Sequence, residues 1–363
     1  MGTLRLLLAI SVLLFHSNAA GIQFVGGGVA VEAFFIISGF YMSLILDTKY
    51  IGANGKYTLF ITNRLLKLYP AYWAVLLLAV LMQLLCWCIT GYPILVFHHI
   101  VHFKMNWPGI SFLSFTNIAI LGQDMVSFLG LNKATGGLFF TADFMKTYPF
   151  LFNFLVIPQG WSLGVELGFY LLAPLLLRRK WYIVAVCMAL SWLLRYYLVH
   201  ILQLHYDPWV FRFLPSQLLL FLSGNIAYRV YVFLKNRLTV TFTASLCIWI
   251  SVILLTILYS RLPYITGKKD YYLFLVFLSL PFLINMPRIR RFDNYLGDLS
   301  YPVYLSHMLV LQTISMVNSQ TAVFRSLPVI LLTLTGTLLL SALISRYVVR
   351  PVDGFRQGRI RHT

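Results

Sequence analysis

Apolar residues run along this chain in stretches of about 20 between short polar breaks, without the strict alternation of a half-buried strand. An α-helix rising ~1.5 Å per residue needs that length to cross ~30 Å of hydrocarbon. Strands of an outer-membrane barrel would be shorter and would alternate. The pattern predicts about ten spans, at 4–20, 29–47, 68–90, 161–177, 181–201, 213–234, 240–260, 271–287, 297–317 and 327–349. The expected fold is therefore all-α, a polytopic membrane helical bundle.

The polar breaks orient this bundle. With the N-terminus inside, Lys49, Lys56, Arg64, Lys67, Arg178, Arg179, Lys180, Lys235, Arg237, Arg288, Arg290, Arg291 and the arginine-rich tail from Arg350 all face the cytoplasm. The outer loops then hold fewer basic residues, as the positive-inside rule requires. Both termini are cytoplasmic in this arrangement, and 91–160 is one long outer segment. Its apolar stretch 109–122 is short for a span. A re-entrant or interfacial placement stays open, as does a full crossing matched by a second one before Trp161. Residues 1–350 read as one membrane domain and 351–363 as a basic cytoplasmic tail. Residues 1–20 also resemble a signal peptide, with Arg5, an apolar run over 6–15 and small residues Ala19 and Ala20. The distribution of positive charge favours a retained first span.

Composition agrees: 60% hydrophobic residues, 10% charged residues and a mean hydropathy of +0.82 exclude an ordinary soluble domain. The net charge of +18 does not call for a nucleic-acid partner, because its Lys and Arg sit mainly in the breaks as topology signals. Part of it is placed to meet an anionic ligand at the cytoplasmic surface. Cys86, Cys88, Cys187 and Cys247 fall in apolar segments without zinc spacing and read as core fillers. His98, His99 and His102 lack a nearby carboxylate or fourth ligand, so no metal is assigned.

Ionisable and polar groups within the spans carry the candidate chemistry. Arg5 and His16 are eleven residues apart, within about 20° on one helix face and ~16 Å along it. One face thus links the cytoplasmic edge to the membrane interior. His16 is either a structural hydrogen-bonding residue or a general base, the role imidazole fills best near neutral pH. After Gly26, Gly27 and Gly28, Glu32 lies just inside the second span, where a carboxylate must be paired, protonated or hydrated. Ser38 and Gly39 at the middle of that span read as helix-packing positions. Arg64 and Lys67, one turn apart on a short helix leading into the membrane, suit either phosphate binding or anchoring beside an aromatic belt of Tyr69, Tyr72 and Trp73. Trp161 opens the fourth span. Ser162 and Glu166 share a face there, and Glu166 is placed to orient or pair with His16 or to make a structural ion pair. In the ninth span Asp298, Ser300, Tyr304 and His307 read as packing hydrogen bonds.

The stretches RLLLAISVLLFH, GGGVAVEAFFIISGFYM, NRLLKLYPAYW, WSLGVELGFYLL and GDLSYPVYLSH resemble, in this order, the acyltransferase 3 family of integral membrane acyltransferases. The resemblance spans nearly the whole chain. It implies ten membrane helices, acetyl-CoA or another acyl-CoA as cytoplasmic donor, and a glycan or lipid-linked sugar acceptor in the envelope of a bacterial inner membrane. Its essential arginine and histidine fall on Arg5 and His16, its paired arginines on Arg64 and Lys67, and its WSLxVE glutamate on Glu166. Two departures stand out. Lys67 lacks the planar bidentate fork of arginine, and Arg350 precedes Pro351 where the family often has glutamate. The esterase-like C-terminal domain of some members is expected to be absent. Two routes stay open, direct transfer with His16 as base or an acyl-His16 intermediate. The competing class is a transporter or flippase of a lipid-linked sugar or acyl carrier using Glu32, Glu166 and His16 as a relay.

Overall fold

The computed structural model describes residues 1–17, 22–235, 237, 241–284, 290–321 and 326–361. Ala19 and Ala20 of the signal-like segment and Arg288, expected at the cytoplasmic face, lie outside the described residues. Among these described residues thirteen α-helices follow in chain order: α1 Gly2–His16, α2 Gly27–Thr48, α3 Tyr57–Thr90, α4 Leu95–His102, α5 Trp107–Ala119, α6 Trp161–Leu176, α7 Trp181–Tyr196, α8 Leu214–Lys235, α9 Phe242–Leu258, α10 Lys268–Leu283, α11 Arg290–Thr321, α12 Ser326–Ile344 and α13 Arg350–Arg361. A short antiparallel hairpin, β1 Leu129–Leu131 with β2 Leu138–Phe140, lies between α5 and α6.

Each predicted span overlaps a helix among the described residues, but not all ten satisfy the demands of a crossing. Among the described residues, six helical segments are long and apolar enough: 27–48, 57–90, 181–201, 214–235, 242–261 and 328–360. The helices α1, α6 and α10 have 15, 16 and 16 residues, rising ~24 Å or less against ~30 Å of hydrocarbon. The 32-residue α11 is long, but Arg291, Asp293, Asp298 and His307 lie along it. The helix carrying Arg64 and Lys67 is not a separate short one. It is continuous with the third span in α3, with Pro70 inside it.

Contacts divide the chain into two units, residues 1–71, 173–184 and 220–363, and residues 72–172 and 185–219. In the first unit, α1 and α11 run in the same direction. Gly2 meets Asp293 and Gly297 at one end, and His16 meets His307 at the other. A side chain on Gly2 would overlap the Asp293 carbonyl, so the residue without a Cβ sets this close approach. Asp293 accepts from the Gly2 and Thr3 amides, each at 2.8 Å, and so caps the orphan donors of α1 from another helix. Leu4, Leu8, Ala9, Val12 and Leu13 of α1 are buried, so cleavage after this helix would strip α11 of an apolar face. The crossing of α2 and α8 turns on Gly39 and Gly224, where a Cβ would overlap the carbonyls of Phe221 and Ile36. Gly39 is thus a packing position, as its sequence context suggests.

The second unit folds the long 91–160 segment around a small apolar core of Leu113, Val126, Leu131, Leu151, Phe154 and Leu155. Of the stretch 109–122, residues 109–119 lie in α5, whose 13 residues reach only ~20 Å. Its start is fixed by the Asn106 side chain, which accepts from Gly109 N at 3.1 Å, the preferred N-cap chemistry. Two sequence readings need correction. Tyr72 is fully buried and donates to the Asn117 carbonyl at 2.6 Å, so it is no belt residue, whereas Trp73 is exposed. The cysteines are not core fillers either. Cys88 and Cys247 are exposed and Cys86 and Cys187 only half-buried, because their helices turn those faces outward.

Candidate active site

Three groups of predicted residues take definite surroundings, two in the first unit and one in the second. At the Gly2 end of α1, Lys67 Nζ lies 2.9 Å from Asp353 and 4.0 Å from Asp298. Arg356 holds the same Asp353 at 2.9 Å. Arg359 reaches back from α13 to Asn63 and Thr62, each at 3.0 Å. Lys67 is therefore neutralised within the chain. Arg5 and Arg64 are held differently. The Arg5 guanidinium lies 5.7 Å from the Tyr41 ring and that of Arg64 5.8 Å from the Phe60 ring. Arg64 is buried, and its Nε has no hydrogen-bond partner among the described residues. A buried guanidinium without a carboxylate is costly; an anionic ligand is the natural compensation.

At the far end of α1, His16 is exposed on the last turn. Its ring stacks on that of His307, with centroids 5.4 Å apart and planes 29° from parallel. His307 is fully buried, and Tyr304 lies beside it with ring centroids 5.9 Å apart. The Tyr304 ring also meets Phe34 of α2. The structure thus gathers His16, Tyr304 and His307, which the sequence placed in its first and ninth spans. On α2, Glu32 is buried and paired with Lys269 of α10 at 2.9 Å. Ser38 lies half-buried farther along α2.

The α6 residues belong to the second unit. Ser162 Oγ donates to the Gln159 carbonyl at 3.3 Å. Glu166 accepts from the Tyr170 hydroxyl at 2.5 Å, a charge-assisted bond that fixes the carboxylate. Trp161 lies under the Arg212 guanidinium at 4.5 Å, and Asp207 grips Arg212 through two bonds of 2.9 Å. That cation–π contact holds the indole at the head of α6. Nearby, Asp124 packs against Gly164, where a Cβ would stand 2.8 Å from its Oδ1. Burial pushes its carboxyl up to about 6.

Sequence reasoning missed Lys269, Asp353 and Arg212. The signal for Lys269 was indirect, in that an intramembrane Glu32 demands a cation. Asp353 lies 286 residues from Lys67 in the chain, and no local pattern announces such a pair. Among the described residues no cluster of three His, Cys, Asp or Glu suits a metal ion.

Comparison with known proteins agrees with this frame. The chain is 29% identical over 171 residues to an uncharacterised protein of Aquifex aeolicus (strain VF5), a match covering 45% of this chain and 73% of that protein. No solved structure matches significantly. The acyltransferase 3 family model, described as an acyltransferase domain, matches residues 2–346. With a helical membrane architecture and that match over nearly its whole length, this chain belongs to the acyltransferase 3 family of membrane acyltransferases.

Proposed function

We propose that the protein moves an acyl group, acetyl foremost, from acyl-CoA at the cytoplasmic face of a bacterial inner membrane to a hydroxyl of an envelope glycan. Lipopolysaccharide, O-antigen and exopolysaccharide, whether assembled or lipid-linked, are the acceptor classes. The observation that carries this reading is the polarity of α1, with Arg5 toward one end and the exposed His16 at the other. A thioester donor has the same polarity, anionic phosphates at one end and a reactive carbonyl at the other.

In this reading Arg5 and Arg64 hold the CoA phosphates through charge-assisted bonds. Lys67 contributes less, because Asp353 already occupies it. His16 accepts the acceptor's hydroxyl proton while the oxygen attacks the thioester carbonyl. The C–S bond breaks, and the proton passes from His16 to the departing thiolate. The two-step variant has the His16 nitrogen attack first, releasing CoA thiol, with the hydroxyl attacking the acyl-imidazole second. Glu166, fixed by Tyr170, is the second catalytic group. Glu32, Ser38, Tyr304 and His307 are the supporting residues of the first unit, and Trp161 and Ser162 those of the second.

The test is to incubate membranes containing wild type or His16→Ala with radiolabelled acetyl-CoA and a bacterial glycan extract. Label should enter glycan with wild type alone. Equal labelling by both would remove His16 from the chemistry. A burst of free CoA without acceptor would select the acyl-histidine route.

A further inference from the structure

Two features stand outside the chemistry above, the Asp47, Tyr50 and Arg178 cavity at the end of α2 and the half-buried Asp124, and a third, the histidine stacked beneath His16, has so far only an unspecified supporting part. The last carries furthest. His307 Nδ1 lies 2.7 Å from the Tyr304 carbonyl, and a carbonyl only accepts, so Nδ1 carries the hydrogen. In the neutral ring the Nε2 lone pair is then an acceptor. That atom is buried and has no hydrogen-bond partner among the described residues. A buried acceptor left in this state bears an uncompensated desolvation cost.

The neighbour able to relieve it is His16. The rings now stack with centroids 5.4 Å apart and planes 29° from parallel; turning the His16 ring edge-on, so that a nitrogen meets the in-plane Nε2 lone pair, would leave about 3 Å between the two atoms, a hydrogen-bond length. His16 lies exposed on a terminal turn, its ring also meeting that of Phe15, whereas the His307 ring is fully buried on α11, so of the two rings it is His16 that turns. We propose that His307 is a positioning residue that accepts a hydrogen bond from His16 Nδ1–H and so fixes the base in one tautomer. The Nε2 lone pair of His16 is then presented outward, to a substrate hydroxyl. This is the task of the third member of a nucleophile–base–orienter set, here performed by a neutral ring in place of a carboxylate. The inference rests on His16 being the reacting imidazole.

The decisive experiment is nitrogen NMR of histidine-labelled protein in detergent micelles, with the His16 signal assigned by its loss in His16→Gln. The wild type should show His16 as the Nδ1–H tautomer. His307→Gln, which keeps an acceptor, should retain it; His307→Leu should give a tautomer mixture. A wild-type His16 in the Nε2–H form overturns the proposal, as does an unchanged tautomer in His307→Leu. If the Leu variant fails to insert, the wild-type spectrum alone decides. In transfer assays His307→Leu should lower kcat about 100-fold or more at an acetyl-CoA KM within about twofold, with His307→Gln restoring kcat to within about tenfold. The expected tautomers with no acyl transfer by wild type would leave the pair standing and reject the acyl-transfer reading. Active transfer with equal loss in both variants would reject the pair alone.

Discussion

Lys269 Nζ sits 2.9 Å from the carboxylate of Glu32, across 237 residues of chain, with Glu32 only 1% exposed and Lys269 38% exposed. The pair joins α2 to α10 and compensates the buried carboxylate, which would be costly alone. Removing the cation strands the anion. Lys269→Met is expected to cost about 2–4 kcal/mol, less than a fully buried pair because the lysine reaches solvent. Adding Glu32→Gln should recover most of that loss in a double-mutant cycle read by thermal unfolding in detergent. Additive losses would show that the two groups act separately.

Donor binding should fall more heavily on Arg64 than on Lys67. Arg64→Ala should raise the acetyl-CoA KM about tenfold or more with kcat within about threefold, the pattern of lost uniform binding. Lys67→Ala should raise it only about twofold to fourfold, since that ammonium is already committed to Asp353. Initial rates over a range of acetyl-CoA concentrations check the order. A larger effect at Lys67 would reverse the assignment.

Gly39→Ala and Gly224→Ala each place a methyl group on backbone of the facing helix. Backbone cannot step aside as a side-chain tip can, so either change should cost about 3 kcal/mol or more. Loss of monodisperse protein in fluorescence-detected size exclusion is the expected readout. Gly354→Ala, where a Cβ meets nothing within 4 Å, should leave the elution profile unchanged.

Asp124 gives the second unit a pH dependence of definite sign. Its carboxyl is raised from 3.8 to about 6 by burial, so the folded state holds its proton more tightly than the unfolded one. Stability from this group is greatest below about pH 4, falls as pH rises through about 6, and stays at the lower level above. Asp124→Asn should flatten that fall and stabilise the protein at pH 8 by on the order of 1 kcal/mol. Thermal melts at pH 5 and pH 8 test it; an unchanged pH slope in the variant would sink the assignment.

Much of the fold was legible because burial in lipid imposes a long apolar period that no tertiary detail erases. Among the described residues each of the ten predicted spans overlaps a helix, and Arg5 and His16 do share α1. The count of crossings was less legible. Hydropathy marks where helices lie, whereas α1, α6 and α10 are shorter than a full crossing and α11 is polar. Tyr72 and the cysteines were misread for a related reason, since an apolar window does not say which face of a helix meets a neighbour.

The sequence by itself determined the membrane setting, the helical class, the family and the residue types available for chemistry, because each depends on local composition, period or chain order. Only the tertiary structure decided the partners. Glu32 with Lys269, Lys67 with Asp353 and His16 with His307 are each separated by more than 200 residues. Such pairs form when helices pack, under the demand that buried charges and polar atoms be matched, and nothing along the chain near either residue encodes which partner answers it.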